Sequence, residues 1–152
     1  MNEKRSSLSH SVETGQSLVE MAISMTFILI LLAGVIYFGI ALFYFVAMRD
    51  AAQEGALYGS MRPTDLAGIN QRVANAAGNN GVIRRMFDQG ELQVHITYTG
   101  PACEGNGITV TLIHNYRLDW LPLGSFLSPF LGQDFIRLRA SVTDTILTPP
   151  CP

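Results

Sequence analysis

The chain has 152 residues, 48% of them hydrophobic and 14% charged, against about 25% charged residues in an average soluble domain. Ten basic and twelve acidic residues give a formal charge of −2, with Lys4 the only lysine, which removes the electrostatic case for nucleic-acid binding. A chain this apolar can bury enough surface to offset its ordering entropy, which argues against disorder, and collagen, coiled-coil and multi-disulfide readings fail on composition.

The first fifteen residues, MNEKRSSLSHSVETG, are polar and rich in serine and end in Gly15. Gln16-Ser17-Leu18-Val19-Glu20 follows, and no further charge occurs before Arg49. A helix over that run extends roughly 40 Å, more than the roughly 30 Å hydrocarbon core of a bilayer, so a membrane-spanning helix is predicted. A buried core helix is the bland alternative, but core helices rarely run past about 20 residues without a charge. A cleaved secretory signal fits poorly, because its apolar region should be only about 7–15 residues long. Arg49-Asp50-Ala51-Ala52-Gln53-Glu54 is a good helix-forming stretch, and the helix is expected to continue through it. Lys4 and Arg5 precede the apolar run and Arg49 and Arg62 follow it, so charge alone does not orient the helix.

Glu20 has two readings. It is either a solvated carboxylate at headgroup level, favoured near a helix N-terminus by the macrodipole, or part of a recognition signal with Gly15. The short polar leader, the glycine, the glutamate five residues on and the apolar helix together resemble the type IV prepilin pattern. That resemblance implies cleavage between Gly15 and Gln16 by a membrane prepilin peptidase on the cytoplasmic side, which would orient the helix with its N-terminus in the cytoplasm. It also implies that Glu20, costly in lipid unless paired, meets the Gln16 amine of a neighbouring subunit in a filament. GQSLVEMAI, then Tyr37-Phe38-Gly39 and MRDAAQEGALYG over 48–59, is similar to the TadE-like family, minor pseudopilins of the tight-adherence (Flp) pilus system. Gly59 stands where alanine is common in that family and Leu57 where arginine is frequent. The resemblance covers about residues 15–60, and the remainder carries no specific motif.

Ala47, Ala51, Gly55 and Gly59 recur every four residues on the continuing helix. Such a stripe admits close approach of another backbone, either the chain's own sheet or a neighbouring subunit. Leucine at 55 is expected to overpack that contact and alanine to be mild. Arg62-Pro63 should end the helix near residue 61. Thr64 then reads as the N-cap of a second helix with Asp65 in its first turn, presenting Leu66, Ile69, Val73, Ala76 and Ala77 inward. Residues 82–87 are ambiguous between loop and one more helical turn. From Leu92 the period becomes two: Leu92, Val94, Ile96 and Tyr98 form one strand face, and Ile108, Val110, Leu112 and His114 form another. The Gly- and Pro-containing run between them predicts a hairpin with a longish loop. A third strand is expected from Phe135 to Leu147, with Ile136, Leu138, Ala140, Val142 and Ile146 on one face. Trp120, with Leu118, Leu121, Leu123, Phe126, Leu127, Phe130 and Leu131, is either core or an exposed apolar patch.

The fold class is therefore α+β and pilin-like, a long N-terminal transmembrane helix packed on a small antiparallel sheet. The expected organisation is a leader over 1–15, a transmembrane helix over 16–48, and an extracytoplasmic domain over 49–152. Cys103 and Cys151 both fall in that last segment, where a disulfide tying down the tail competes with two free buried thiols. His95 and His114 lie on adjacent predicted strands and are candidates to face each other, but no third ligand accompanies them. No nucleophile elbow, P-loop, Rossmann or zincin motif occurs. The expectation is a non-catalytic protein with no cofactor, metal or small-molecule substrate. Its expected partners are the peptidase, other pilins and pilus assembly proteins, and membrane lipid. The resemblance implies the bacterial cytoplasmic membrane as its location, with a place in the pilus left open. The alternative is an unprocessed, membrane-anchored binding domain.

Overall fold

Alanine and leucine, both strong helix formers, are the commonest residues in the first half of the chain, and the computed structural model forms one helix there, α1, over Ser7–Met61. It describes residues 7–78, 81–117 and 135–151, with side chains from Gly15 onward. The predicted Trp120 cluster lies outside the described residues. The chain divides into two units, Met1–Gly39 and Ile40–Pro152.

In the first unit α1 is apolar all round from Leu18 onward apart from Glu20, and most of its large side chains there are bare: Leu18, Phe27 and Leu31 are 68%, 65% and 70% exposed. That surface is unfavourable in water and ordinary in lipid. The helix is long and apolar enough to cross a membrane. The Thr26 hydroxyl donates to the Ala22 carbonyl at 2.8 Å, so this polar group is satisfied within the helix itself.

The second unit holds the C-terminal part of α1, two short helices and a sheet. Helix α2 covers Leu66–Asn75, α3 Val82–Asp88, and strands β1, β2 and β3 cover Leu92–Tyr98, Gly107–Arg117 and Phe135–Thr145. They form an antiparallel meander in the order β1-β2-β3. The register pairs Val94 with Leu112 and Leu112 with Ala140, so the apolar faces of all three strands align. Against that face α1 presents Met48, Ala51, Ala52 and Ala56, and α2 and α3 close the same core with Ile69, Val73, Ile83 and Met86. On the other face Thr109 meets Thr143 at 2.7 Å and Thr111 meets Ser141 at 2.9 Å, hydroxyl pairs that fix the β2–β3 register.

The helix stops at Met61, before Arg62-Pro63. The N-cap of α2 is Asp65, not Thr64. Its carboxylate accepts from the Gly68 N–H at 2.9 Å and from the Tyr58 hydroxyl at 2.8 Å. The backbone bond from Gly68, then the Tyr58 bond and the nearby Arg62 charge, hold the Asp65 carboxyl below its ordinary range. The Tyr58 bond makes the difference between two adjacent capping residues, because it ties the cap to the preceding helix. Leu66 is 50% exposed and Ala77 is also outside the core, so the inward stripe of α2 is Ile69, Val73 and Ala74. The ambiguous segment is helical, as α3.

Strand β3 ends at Thr145 rather than Leu147, because the next residues bond elsewhere. Ile146 N–H donates to the Asn106 carbonyl, and Leu147 N–H to the Ser60 carbonyl, each at 2.8 Å. The Thr148 hydroxyl donates to the Met61 carbonyl at 2.8 Å. Two of the carbonyls left open by the end of α1 are thereby capped from the far end of the chain. Ile136, expected inward, is 45% exposed near the start of β3.

Candidate functional site

Three groups of candidate residues occupy different places. Gly15, Gln16 and Glu20 lie in the first unit, the small-residue stripe and the cysteines in the second.

Gly15 and Gln16 sit within α1, which runs through them without a break. A Cβ on Gly15 would meet nothing within 4 Å. Glycine is unfavourable in a helix interior by about 1 kcal/mol relative to alanine, and the chain's own packing does not require one here. Glu20 is exposed and has no hydrogen-bond or ion-pair partner among the described residues. Immersed in lipid, a carboxylate so placed would need a partner from another molecule.

The stripe faces the chain's own core. Ala51 is fully buried. A Cβ on Gly55 would come within 2.5 Å of Val73 Cγ2, and one on Gly59 within 2.5 Å of Ile108 Cδ1. Ala47 packs partly buried at the edge of the same cluster. Of the two partners open for this stripe, α2 and the sheet occupy it within one chain. An alanine Cβ at 55 would press on Val73, a stiff β-branched side chain fixed in α2, so even this small substitution has a cost there.

Cys103 and Cys151 are joined by a disulfide with Cα atoms 5.0 Å apart. Around it, Glu104 N–H donates to the Pro149 carbonyl and Gly105 N–H to the Ile146 carbonyl. The bridge therefore sits in a small network joining the hairpin loop to the tail.

The histidines do not face each other. His95 pairs with Thr111 in register and points to the exposed face, whereas His114 pairs with Leu92 and is buried. His114 Nδ1 lies 3.2 Å from the Glu91 carbonyl, which can only accept, so Nδ1 carries the proton. Its ring lies 5.7 Å from that of Tyr44, and Tyr44 lies 5.6 Å from Tyr116. This aromatic cluster anchors α1 on β2. The sequence signal for it was present, because His114 shares the inward parity of Val110 and Leu112. No group of three or more His, Cys, Asp or Glu side chains is placed to hold a metal among the described residues.

Comparison with known proteins gives one match. Residues 15–57 match the family described as TadE-like protein, in agreement with the resemblance read from GQSLVEMAI and the alanine- and glycine-containing stretch after Arg49. No curated protein and no solved structure matches.

Proposed function

From a chain whose residues 15–57 are TadE-like, we propose a non-catalytic minor pseudopilin that takes part in assembling a tight-adherence (Flp) type IV pilus. The observation that carries this reading is that the matched segment begins on Gly15 and contains Glu20 and the apolar helix. In this reading a prepilin peptidase cuts between Gly15 and Gln16. The helix anchors the protein in the bacterial cytoplasmic membrane, and the α+β domain lies outside the cytoplasm. The new amine of Gln16 on one subunit then pairs with Glu20 on the next. A glycine without a packing contact and a carboxylate without a partner among the described residues are both accounted for by this chemistry.

The test is the mature N-terminus. Mass spectrometry of the membrane-extracted protein should show a chain starting at Gln16. Gly15→Ala should be cut poorly and bulkier residues at 15 not at all. An intact Met1 chain in cells with an active peptidase would favour the second reading, an unprocessed membrane-anchored binding domain. The continuity of α1 across Gly15 and Gln16 supports that rival.

Glu20→Gln separates the recognition role from the bland one. It should be processed normally yet be recovered from the membrane rather than from sheared pili, a loss of at least tenfold in the pilus fraction if the amine pairing is worth about 1.4 kcal/mol or more. Normal incorporation of Glu20→Gln would return Glu20 to the role of a headgroup-level charge.

A further inference from the structure

Beside the end of α1 the domain carries a cationic, aromatic concavity that neither the core nor the peptidase signal uses. It encloses about 570 Å³ and is lined by Tyr58, Arg62, Gln71, Arg72 and Asn75 among others. The Arg72 guanidinium carbon lies 5.3 Å from the centre of the Tyr58 ring and that of Arg62 lies 5.9 Å from it. Arg62 Nη1 also donates to the Tyr58 hydroxyl at 3.4 Å, so one tyrosine positions both guanidinium groups, whose planar forks suit carboxylates. Neither arginine makes an ion pair among the described residues. Asp65 feels the Arg62 charge, but each of its oxygens is already bonded, to the Gly68 N–H and to the Tyr58 hydroxyl. Asp65 offsets part of the Arg62 charge, while Arg72 has no carboxylate partner among the described residues and has amide side chains beside it.

The same helix carries the complementary group. Asp50 and Glu54 are exposed, one turn apart, and have no ion-pair partner among the described residues. We propose that the Tyr58–Arg62–Arg72 concavity receives the Asp50–Glu54 carboxylate pair of a second copy of this chain. Charge complementarity identifies the occupant. A lipid headgroup fits less well, since Arg62 lies thirteen residues beyond Arg49, about 20 Å along a helix from the end of the apolar run. Glu54 precedes Arg62 by eight residues, about 12 Å along the axis, so the two copies meet with an axial offset of that order. The contact is head to tail, leaving a free concavity at one end and a free carboxylate pair at the other, so further copies can add. The proposal deepens the filament reading and rests on it for the offset between copies.

Self-association of the full chain in detergent, followed by sedimentation equilibrium at low salt, tests it. Arg72→Glu and Glu54→Arg should each weaken association about tenfold, the effect of a close interfacial charge pair. The double variant carrying both changes should return to within about threefold of the wild type. Both positions are exposed, and unchanged thermal unfolding would show that the variants fold. A monomeric wild type, single variants that associate like it, or a double variant as weak as the singles would each overturn the proposal. The last result would mean that Arg72 meets some other carboxylate. The mature N-terminus is measured separately, so failure of this contact and failure of the processing reading are distinguishable.

Discussion

Gly55→Leu is expected to disrupt the α+β unit, and Gly55→Ala to weaken it measurably, because a Cβ at Gly55 would collide with Val73. The alanine carbon would sit 2.5 Å from Val73 Cγ2, with Val110 Cγ1 at 3.5 Å and Ile69 Cγ2 at 3.6 Å. Val73 is completely buried and cannot swing into solvent. Overpacking of this kind costs about 1–3 kcal/mol, while alanine regains about 1 kcal/mol of helix propensity over glycine. The balance is a net loss of about 1 kcal/mol for alanine. Leucine adds three more carbons to the same gap and should cost about 3 kcal/mol or more, a large share of a domain's total stability. Gly59 supplies the control. Its closest neighbours are Ile108 Cδ1 and Ile69 Cδ1, terminal methyls of buried side chains that can shift by rotation about χ2 alone, a freedom Val73 lacks. Gly59→Ala should therefore cost less than Gly55→Ala, with the propensity gain offsetting part of the repacking. Thermal unfolding of the three variants in detergent checks the order. A Gly55→Ala protein as stable as Gly59→Ala would show that α1 and α2 do not approach as closely as described.

Removing the Cys103–Cys151 bridge is expected to have the other large effect. The two cysteines are 48 residues apart in sequence, and closing a loop of that size in the unfolded chain corresponds to about 4 kcal/mol in the chain-entropy account. The native consequence is local as well. The tail from Ile146 to Thr148 caps the Ser60 and Met61 carbonyls and bonds to the hairpin loop, and the bridge anchors its far end. Cys103→Ala with Cys151→Ala should therefore lower the unfolding temperature and speed hydrogen exchange at Leu147 ahead of the β2 amides. In the native protein no thiol should react with a labelling reagent until reductant is added. Quantitative labelling of both cysteines without reductant would contradict the bridge and, less directly, an extracytoplasmic location.

Much of the architecture is local in origin and was legible for that reason. An uncharged run long enough to cross a bilayer needs no tertiary information to be recognised. The alternation in Leu92–Tyr98 and Ile108–His114 defines its own inward face, since a strand's side chains alternate whatever it packs against. Arg62-Pro63 stops a helix through sterics between neighbours in the chain. Gly15 and Glu20 stand out because a glycine and a lone carboxylate at the edge of an uncharged run are visible along the chain without any tertiary contact. The separation of His95 from His114 is itself written in strand parity, since His95 alternates with Val94 and Ile96 while His114 continues the inward row of Val110 and Leu112.

Long-range contacts supplied the rest. Whether the small-residue stripe met this chain or another depended on where α2 and the sheet came to lie, and Val73 and Ile108 settled that. Asp65 caps α2 in place of Thr64 because the Tyr58 hydroxyl, seven residues earlier, reaches its carboxylate. Leu66 and Ile136 carry the right period yet stay exposed, since period gives the direction of a side chain but not the extent of the surface that covers it. The caps on the last turn of α1 come from Leu147 and Thr148, more than eighty residues away. No local rule pairs groups at that distance, because they meet only after the meander has brought the tail back beside the helix end.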